Sequence, residues 1–250
     1  MMKRFSQTLL AFLLLWGAAR AASRTEKGFQ SLRAQHQSLP IFPEELTRQG
    51  IREGEVRVVL SVDSLGNLDD LLVLFHTHPR FADVTVAALK KWRFDPAQQN
   101  GVAVAATTIV TVSFATQGAI VTSLNAHEQV AMMMAPLTRG RFEYRMHTLR
   151  ELDQIPTPIS ALAPAYPREL ATKGVQGQVT VGFFIDESGA VRIPSVDVTD
   201  DARLASLAID ALRQWRFEPP RCKGAPVLVK ASQVFNFRPN EKMASGPGVK

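Results

Sequence analysis

With 250 residues, 46% of them hydrophobic and 21% charged, the chain carries enough apolar side chains for one or two globular cores, which excludes a wholly disordered protein. Its net charge of +6 falls to +3 if the first 21 residues are removed, because Lys3, Arg4 and Arg20 leave with them, so a nucleic-acid-binding role has little electrostatic footing. A single cysteine, Cys222, excludes an intramolecular disulfide and leaves stability to packing.

The amino terminus reads as an export segment. Lys3 and Arg4 precede an apolar run from Leu9 to Ala19, followed by the small-residue pattern Ala19-Arg20-Ala21. The run is shorter than the roughly 20 residues needed to span a bilayer. Residues 1–21 are therefore expected to be a secretory signal peptide; the alternative is retention as an uncleaved anchor.

A first domain is expected over residues 36–115. It opens on Leu39-Pro40-Ile41-Phe42-Pro43, extended because each proline restrains itself and its predecessor, and a short helix over Glu44–Gln49 is stopped by Gly50. Val56, Val58, Leu60 and Val62 alternate as on a strand with one buried face. The turn Asp63-Ser64-Leu65-Gly66 leads into a second strand, making a hairpin. The period then becomes helical, with Phe81, Val84, Ala88, Leu89 and Trp92 on one stripe, and the pattern predicts a helix running to Pro96. A glycine turn at Gly101 precedes a last strand in which Thr108, Val110, Val112 and Phe114 alternate.

The same elements then recur. Trp92-Arg93-Phe94-Asp95-Pro96 reappears as Trp215-Arg216-Phe217-Glu218-Pro219, and one shift of 123 positions aligns Gly54–Phe114 with Gly177–Phe237 at 17 identities in 61 positions. A period this long points to duplicated domains rather than a solenoid. The second domain is expected over residues 156–238, after a linker at 116–155 and before a flexible Gly/Pro/Ser/Lys-rich tail at 239–250. Each copy is expected to be α+β: a two-layer sandwich of a three-stranded antiparallel sheet with helices on one face.

Candidate chemistry is weak by comparison. His76 and His78 would share a strand face and offer two metal ligands, but Thr199 and Asp201 replace them in the second copy and no third ligand is evident, so no metal is expected. Asp63 and Asp186 each stand three residues before a glycine, which a turn explains without catalysis. Cys222 lies in a loop and corresponds to Gln99. Trp92, Arg93, Phe94 and Pro96, with Trp215, Arg216, Phe217 and Pro219, read as a fold signature whose tryptophans share the core stripe. No phosphate loop, Ser-His-Asp set or Cys-x-x-Cys motif is present, so the chain reads as a non-enzyme without a cofactor. What remains is the edge of a small sheet, which proteins either protect or use to recruit an extended peptide.

Pro164-Ala165-Tyr166-Pro167, Gly174-Val175-Gln176-Gly177, the Asp-x-x-Gly turn and Ala211-Leu212 leading to Trp215-Arg216-Phe217-Glu218-Pro219 together resemble the TonB carboxy-terminal domain family. The resemblance covers about 80 residues of the second copy. The first copy has Phe42 for the tyrosine and one extra residue between Gly50 and Gly54. It implies a periplasmic energy-transducing adaptor that binds the TonB box, a short extended segment of an outer-membrane transporter, by strand addition, and that is linked to an inner-membrane motor. The binding residues it implies are Pro164, Tyr166 and Pro167 together with Lys230, Gln233, Phe235 and Phe237 on the last strand of the second copy. The chain departs from the pattern in three places. Residues 1–22 hold no histidine for motor coupling, the long Pro/Lys/Glu spacer is missing, and the glutamine usual before Pro-x-Tyr-Pro is Ala163, or Leu39 in copy one. A second reading is a structural or assembly module of the cell envelope, in which sheet edges pair with one another or with identical chains to give a homodimer.

Overall fold

A computed structural model describes residues 28–124 and 143–238. The export segment, the triple methionine 132–134, His127 and the carboxy-terminal tail lie outside the described residues. In the first lobe, a lead-in arm carries β1 (Phe29–Gln30) and β2 (Arg33–His36), and α1 (Glu44–Arg48) follows. Next come β3 (Glu53–Val62), β4 (Leu68–His76), α2 (Pro79–Leu89), β5 (Arg93–Asp95), β6 (Ala97–Gln99), β7 (Val102–Val104), β8 (Ala106–Ala115) and β9 (Gly118–Leu124). Between the lobes lie β10 (Tyr144–Arg145) and a 3-10 turn at Leu149–Glu151. The second lobe has β11 (Pro158–Ser160), α3 (Arg168–Thr172), β12 (Gly177–Ile185), β13 (Val191–Thr199) and α4 (Ala202–Leu212). It ends with β14 (Arg216–Phe217), β15 (Arg221–Cys222), β16 (Ala225–Pro226) and β17 (Val229–Phe237).

The shift of 123 holds in three dimensions. β4 maps onto β13 and α2 onto α4 residue for residue, and the same backbone bond recurs where sheet meets helix: Thr77 N–H to Glu55 C=O at 3.0 Å, Asp200 N–H to Gln178 C=O at 3.1 Å. The hairpin turns agree as well. Asp63 Oδ1 accepts from the N–H of Leu65 and Asn67, and Asp186 Oδ1 from those of Ser188 and Ala190. Gly66 and Gly189 have φ of 84° and 85°, and a Cβ on either would strike the carbonyl oxygen of Phe94 or Phe217, at 2.2 and 1.9 Å. Only glycine meets both demands.

The Trp-Arg-Phe block differs in detail from the expected continuous helix. Both helices stop early, at Leu89 and Leu212, and the tryptophan follows in a turn, its N–H bonded to the carbonyl of Leu89 or Leu212 at 3.0 Å. Arg93–Asp95 is then a strand paired with β2. The buried indoles of Trp92 and Trp215 donate to the carbonyls of Ser38, at 3.1 Å, and Leu162, at 2.8 Å. Each indole thereby pins the lead-in arm to the core, which a helical stripe continued through Trp92 would not allow.

The second sheet is three-stranded, ordered β13-β12-β17, whereas the first has five strands, ordered β10-β4-β3-β8-β9. Residues 116–155, read from sequence as a connection, supply the two additional strands. β9 turns back along β8 through Thr116 and Gln117, and β10 pairs with the end of β4. Each sheet packs one face against its own helices, burying Phe81, Leu89, Val58 and Val112 in one lobe and Leu204, Leu212, Phe183 and Phe235 in the other. Their opposite faces meet. Val59, Leu72, Leu74 and Ile109 pack with Phe184, Ile193 and Leu228, giving four layers in the order helix, sheet, sheet, helix. The sequence signal for this contact is the run of consecutive apolar residues, Val58-Val59-Leu60, Leu71–Phe75 and Phe183-Phe184-Ile185, which marks strands covered on both faces.

Candidate functional site

β17 is nine residues long and pairs with β12 in unbroken register, from Gly177 opposite Phe237 to Ile185 opposite Val229. The bond from Asp200 N–H to Gln178 C=O fixes the phase, because Gln178 then turns its backbone toward β13 and its neighbours in β12 turn theirs toward β17. Residues Val229, Ala231, Gln233, Phe235 and Phe237 consequently bond inward, while Lys230, Ser232, Val234 and Asn236 direct N–H and C=O outward. Among the described residues the only strand pairing on this outer side is a parallel bridge between His147 and Val229 at the start of β17.

The corresponding strand of the first lobe is closed. β9 runs along β8 from Ala115 to Ile109, and Ala119 and Val121 pack against the first core. The burial of the neighbouring helix agrees with this: Pro43 and Leu46 are buried in the first lobe, whereas Pro167 is exposed and Leu170 half-buried in the second. The other rim of the second sheet, β13, is poorly suited to pairing. It contains Pro194, breaks register twice against β12, and holds Ile193 at φ 45°, an unusual backbone for a β-branched residue, with its side chain committed to the contact between lobes.

The residues expected to bind a partner lie on β17 or in the segment before α3, in differing settings. Tyr166 lies over the end of the strand, its ring edge-on to Phe237 at 5.8 Å and its hydroxyl donating to Val175 C=O. Pro164 is buried, and Pro167 precedes α3 on the surface. Phe235 and Phe237 are core residues, Phe235 edge-on to Trp215 at 5.7 Å, so they reach a partner strand only as lateral neighbours. Lys230 is half-exposed on the opposite face, near the carboxylate of Asp197. Gln233 is buried, and its amide bonds the outward carbonyl of Val234 at 2.8 Å. Sequence reasoning did not single out Val234 and Asn236, whose outward backbone follows only once the phase of β12 is known. It also missed β9, for which Ile120, Val121 and Thr122 offered a weak strand signal.

The remaining candidates have structural employment. His78 caps α2, its Nδ1 accepting from Arg80 N–H at 3.2 Å, and His76 stacks on Tyr144 at 5.3 Å. No cluster of three or more metal-ligating side chains occurs among the described residues. Four backbone and side-chain donors hold the Asp63 carboxyl below the usual carboxylate range, led by the N–H of Asn67. Burial raises that of Asp186, yet bonds from Ser188, Ala190 and Arg192 outweigh it and leave the group depressed. Cys222 is half-buried in the β15–β16 hairpin. No helix among the described residues is long and apolar enough to cross a membrane.

Comparison with known proteins gives the following. The sequence model of the Gram-negative bacterial TonB protein C-terminal family matches residues 38–116 and again 163–239. Protein TonB of Pseudomonas aeruginosa is 39% identical over 84 residues, which are 32% of this chain and 24% of that protein, so the chain spans about a quarter of this curated relative. The solution NMR structure of the Pseudomonas aeruginosa TonB CTD is 29% identical, covering 39% of this chain and 97% of that one with a TM-score of 0.32. β9 begins just after the first matched stretch, so the strand that closes β8 lies outside the duplicated family unit.

Proposed function

The chain belongs to the TonB C-terminal family, twice over, and on that premise we propose that it is a periplasmic adaptor that binds an extended segment of an outer-membrane transporter by strand addition to β17, in energy-coupled transport. One observation carries this reading: of two equivalent last strands, β8 is covered by the chain's own β9, while among the described residues no strand pairs with the outward backbone groups of β17 at Val234 and Asn236. Strand addition draws its affinity from such groups and needs neither catalytic residue nor cofactor. The matched family is not a catalytic one, in keeping with this.

Tyr166 flanks the carboxyl end of β17, and it and its neighbour Pro167 would contact the peptide beyond the paired stretch. Coupling to an inner-membrane motor, and export by residues 1–21, follow from the family and from the amino-terminal pattern. The competing assembly-module reading requires edge pairing between copies. Among the described residues the copies associate through their sheet faces and not by pairing edge to edge.

The test is calorimetric titration of the exported chain with peptides from the periplasmic amino termini of co-encoded outer-membrane transporters. Binding is expected, and Val234→Pro, which removes an outward N–H without touching the bonds to β12, is expected to abolish it. A panel without binding, combined with a stable dimer in light scattering, would favour the assembly module.

A further inference from the structure

Two consecutive backbone donors in the segment between the lobes serve different lobes. Met146 N–H donates to Leu74 C=O of β4 at 2.7 Å, and His147 N–H to Leu228 C=O, immediately before β17, at 2.9 Å. Successive residues of an extended chain send their backbone groups to opposite sides, so this short stretch joins the rim of one sheet to the rim of the other. Beyond His147 the chain turns off the edge. Glu151 closes the 3-10 turn, its carboxylate accepting from Thr148 N–H at 2.8 Å and from Arg145 Nη1 at 3.2 Å. Leu149 and Leu152 then pack against the second core, and Asp153 accepts from the N–H groups of Lys223 and Gly224 at 2.7 and 2.8 Å.

Residues 144–153 thus form a strap that occupies the amino-terminal end of the β17 edge. The bridge between His147 and Val229 engages the outward carbonyl of Leu228, and the turn at Leu149–Glu151 lies against β17. A peptide displacing the strap would exchange one backbone bond for another with little net gain, and it would break the bonds of Glu151 and Asp153 and uncover Leu149 and Leu152 besides. The first lobe gives the extent of what remains. There β9 covers β8 from Ala115 to Ile109, and the shift of 123 carries these positions to Arg238 and Ser232. The part of β17 beyond the strap therefore corresponds to the part that the first lobe pairs from within.

We propose that the strap is a stop that sets the length of the segment the β17 edge accepts. An added strand ends against His147 and pairs along residues 232–237, and any part of the peptide reaching past His147 makes no bond to the sheet. This rests on the strand-addition reading above and adds to it a boundary, drawn by residues that belong to neither of the two matched family stretches. The first lobe holds the strap through β10 and through the stack of Tyr144 on His76 at 5.3 Å. The first copy thereby supplies the footing for a limit placed on the second.

The experiment takes a peptide from the transporter panel above in two forms, a short one of about six residues, matched to the stretch 232–237, and a long one extended by about four residues at each end. Both are titrated into the whole exported chain and into a variant carrying Glu151→Gln and Asp153→Ala, with hydrogen exchange of the His147 N–H reporting release of the strap. In the unaltered chain the two forms are expected to bind within about twofold of each other, and in the released variant the long form about tenfold more tightly than the short, the worth of one or two further backbone bonds. A long form that already gains about tenfold in the unaltered chain would overturn the stop while leaving strand addition intact. Equal affinities in a variant whose His147 N–H exchanges freely would do the same. If no peptide of the panel binds, or if Val234→Pro leaves binding unchanged, the strand-addition reading falls and this inference with it. His147→Pro, which deletes the donor to Leu228, repeats the comparison should the double variant fail to fold or keep that N–H protected.

Discussion

Arg192 on β13 grips Asp70 on β4 from the neighbouring lobe, its Nε donating to Oδ2 at 2.9 Å and its Nη2 to Oδ1, while Nη1 reaches Asp186 in its own lobe at 3.4 Å. One guanidinium thus ties a carboxylate of each copy. The side chains of Arg192 and Asp70 are 31% and 26% exposed, so the pair sits between a surface bridge and a buried one. Asp70→Ala is expected to cost about 1–2 kcal/mol in urea unfolding, and a double-mutant cycle with Arg192→Met to give a coupling near 1 kcal/mol. A coupling indistinguishable from zero would mean that the apolar contact alone joins the lobes.

That contact makes its own prediction. Phe184 and Leu228 are buried by residues of the other lobe, so Phe184→Ala is expected to cost about 3–5 kcal/mol, as for a core phenylalanine. Leu228→Asp is expected to separate unfolding into two calorimetric transitions where the unaltered chain gives one. Two transitions in the unaltered chain would show the lobes to be energetically independent.

Two glycines of positive φ separate conformational strain from collision. Gly174, at φ 64°, has open space where a Cβ would sit, and Gly174→Ala is expected to cost about 1 kcal/mol. Gly189, at φ 85°, would place a Cβ 1.9 Å from Phe217 C=O, and Gly189→Ala is expected to cost several kcal/mol or prevent folding. Melting temperatures of the two variants provide the comparison.

Acid sensitivity is expected from the segment between the lobes. Glu151 is pulled down to about 2, first by its bond to Arg145 and further by the N–H and hydroxyl of Thr148. Its unfolded value is 4.5, so the stability it contributes is complete above that value and is lost as pH falls toward 2. Melting curves of the native chain and Glu151→Gln are expected to differ at neutral pH and to converge in acid; a constant gap would assign the effect of the substitution to packing.

Most of each lobe was legible because its signals are local. Alternation gave β3 and β12, the Asp-x-x-Gly turns gave the hairpins, and the Phe81 and Leu204 stripes gave the long helices. The repeat supplied a second reading of each. The helix ends were misjudged because Trp92 and Trp215 fall in helical phase while serving the lead-in arm through a carbonyl more than fifty positions away, a tertiary demand that periodicity does not register. The contact between lobes was hidden for a related reason: an apolar residue on the second face of a strand looks like any other hydrophobe until both faces are known to be covered. Of the candidate site, the strand was legible but its working atoms were not. The apolar alternation that identified β17 marks its inward face, and the backbone groups that point outward belong to the residues between.

β9 also determines how many of the two equivalent last strands are left at the rim of a sheet. Two identical open edges on a rigid back-to-back pair would make the protein bivalent, able to bridge partners or copies of itself into open-ended polymers. With one edge closed from within, duplication has doubled the core without doubling the unpaired last strands among the described residues.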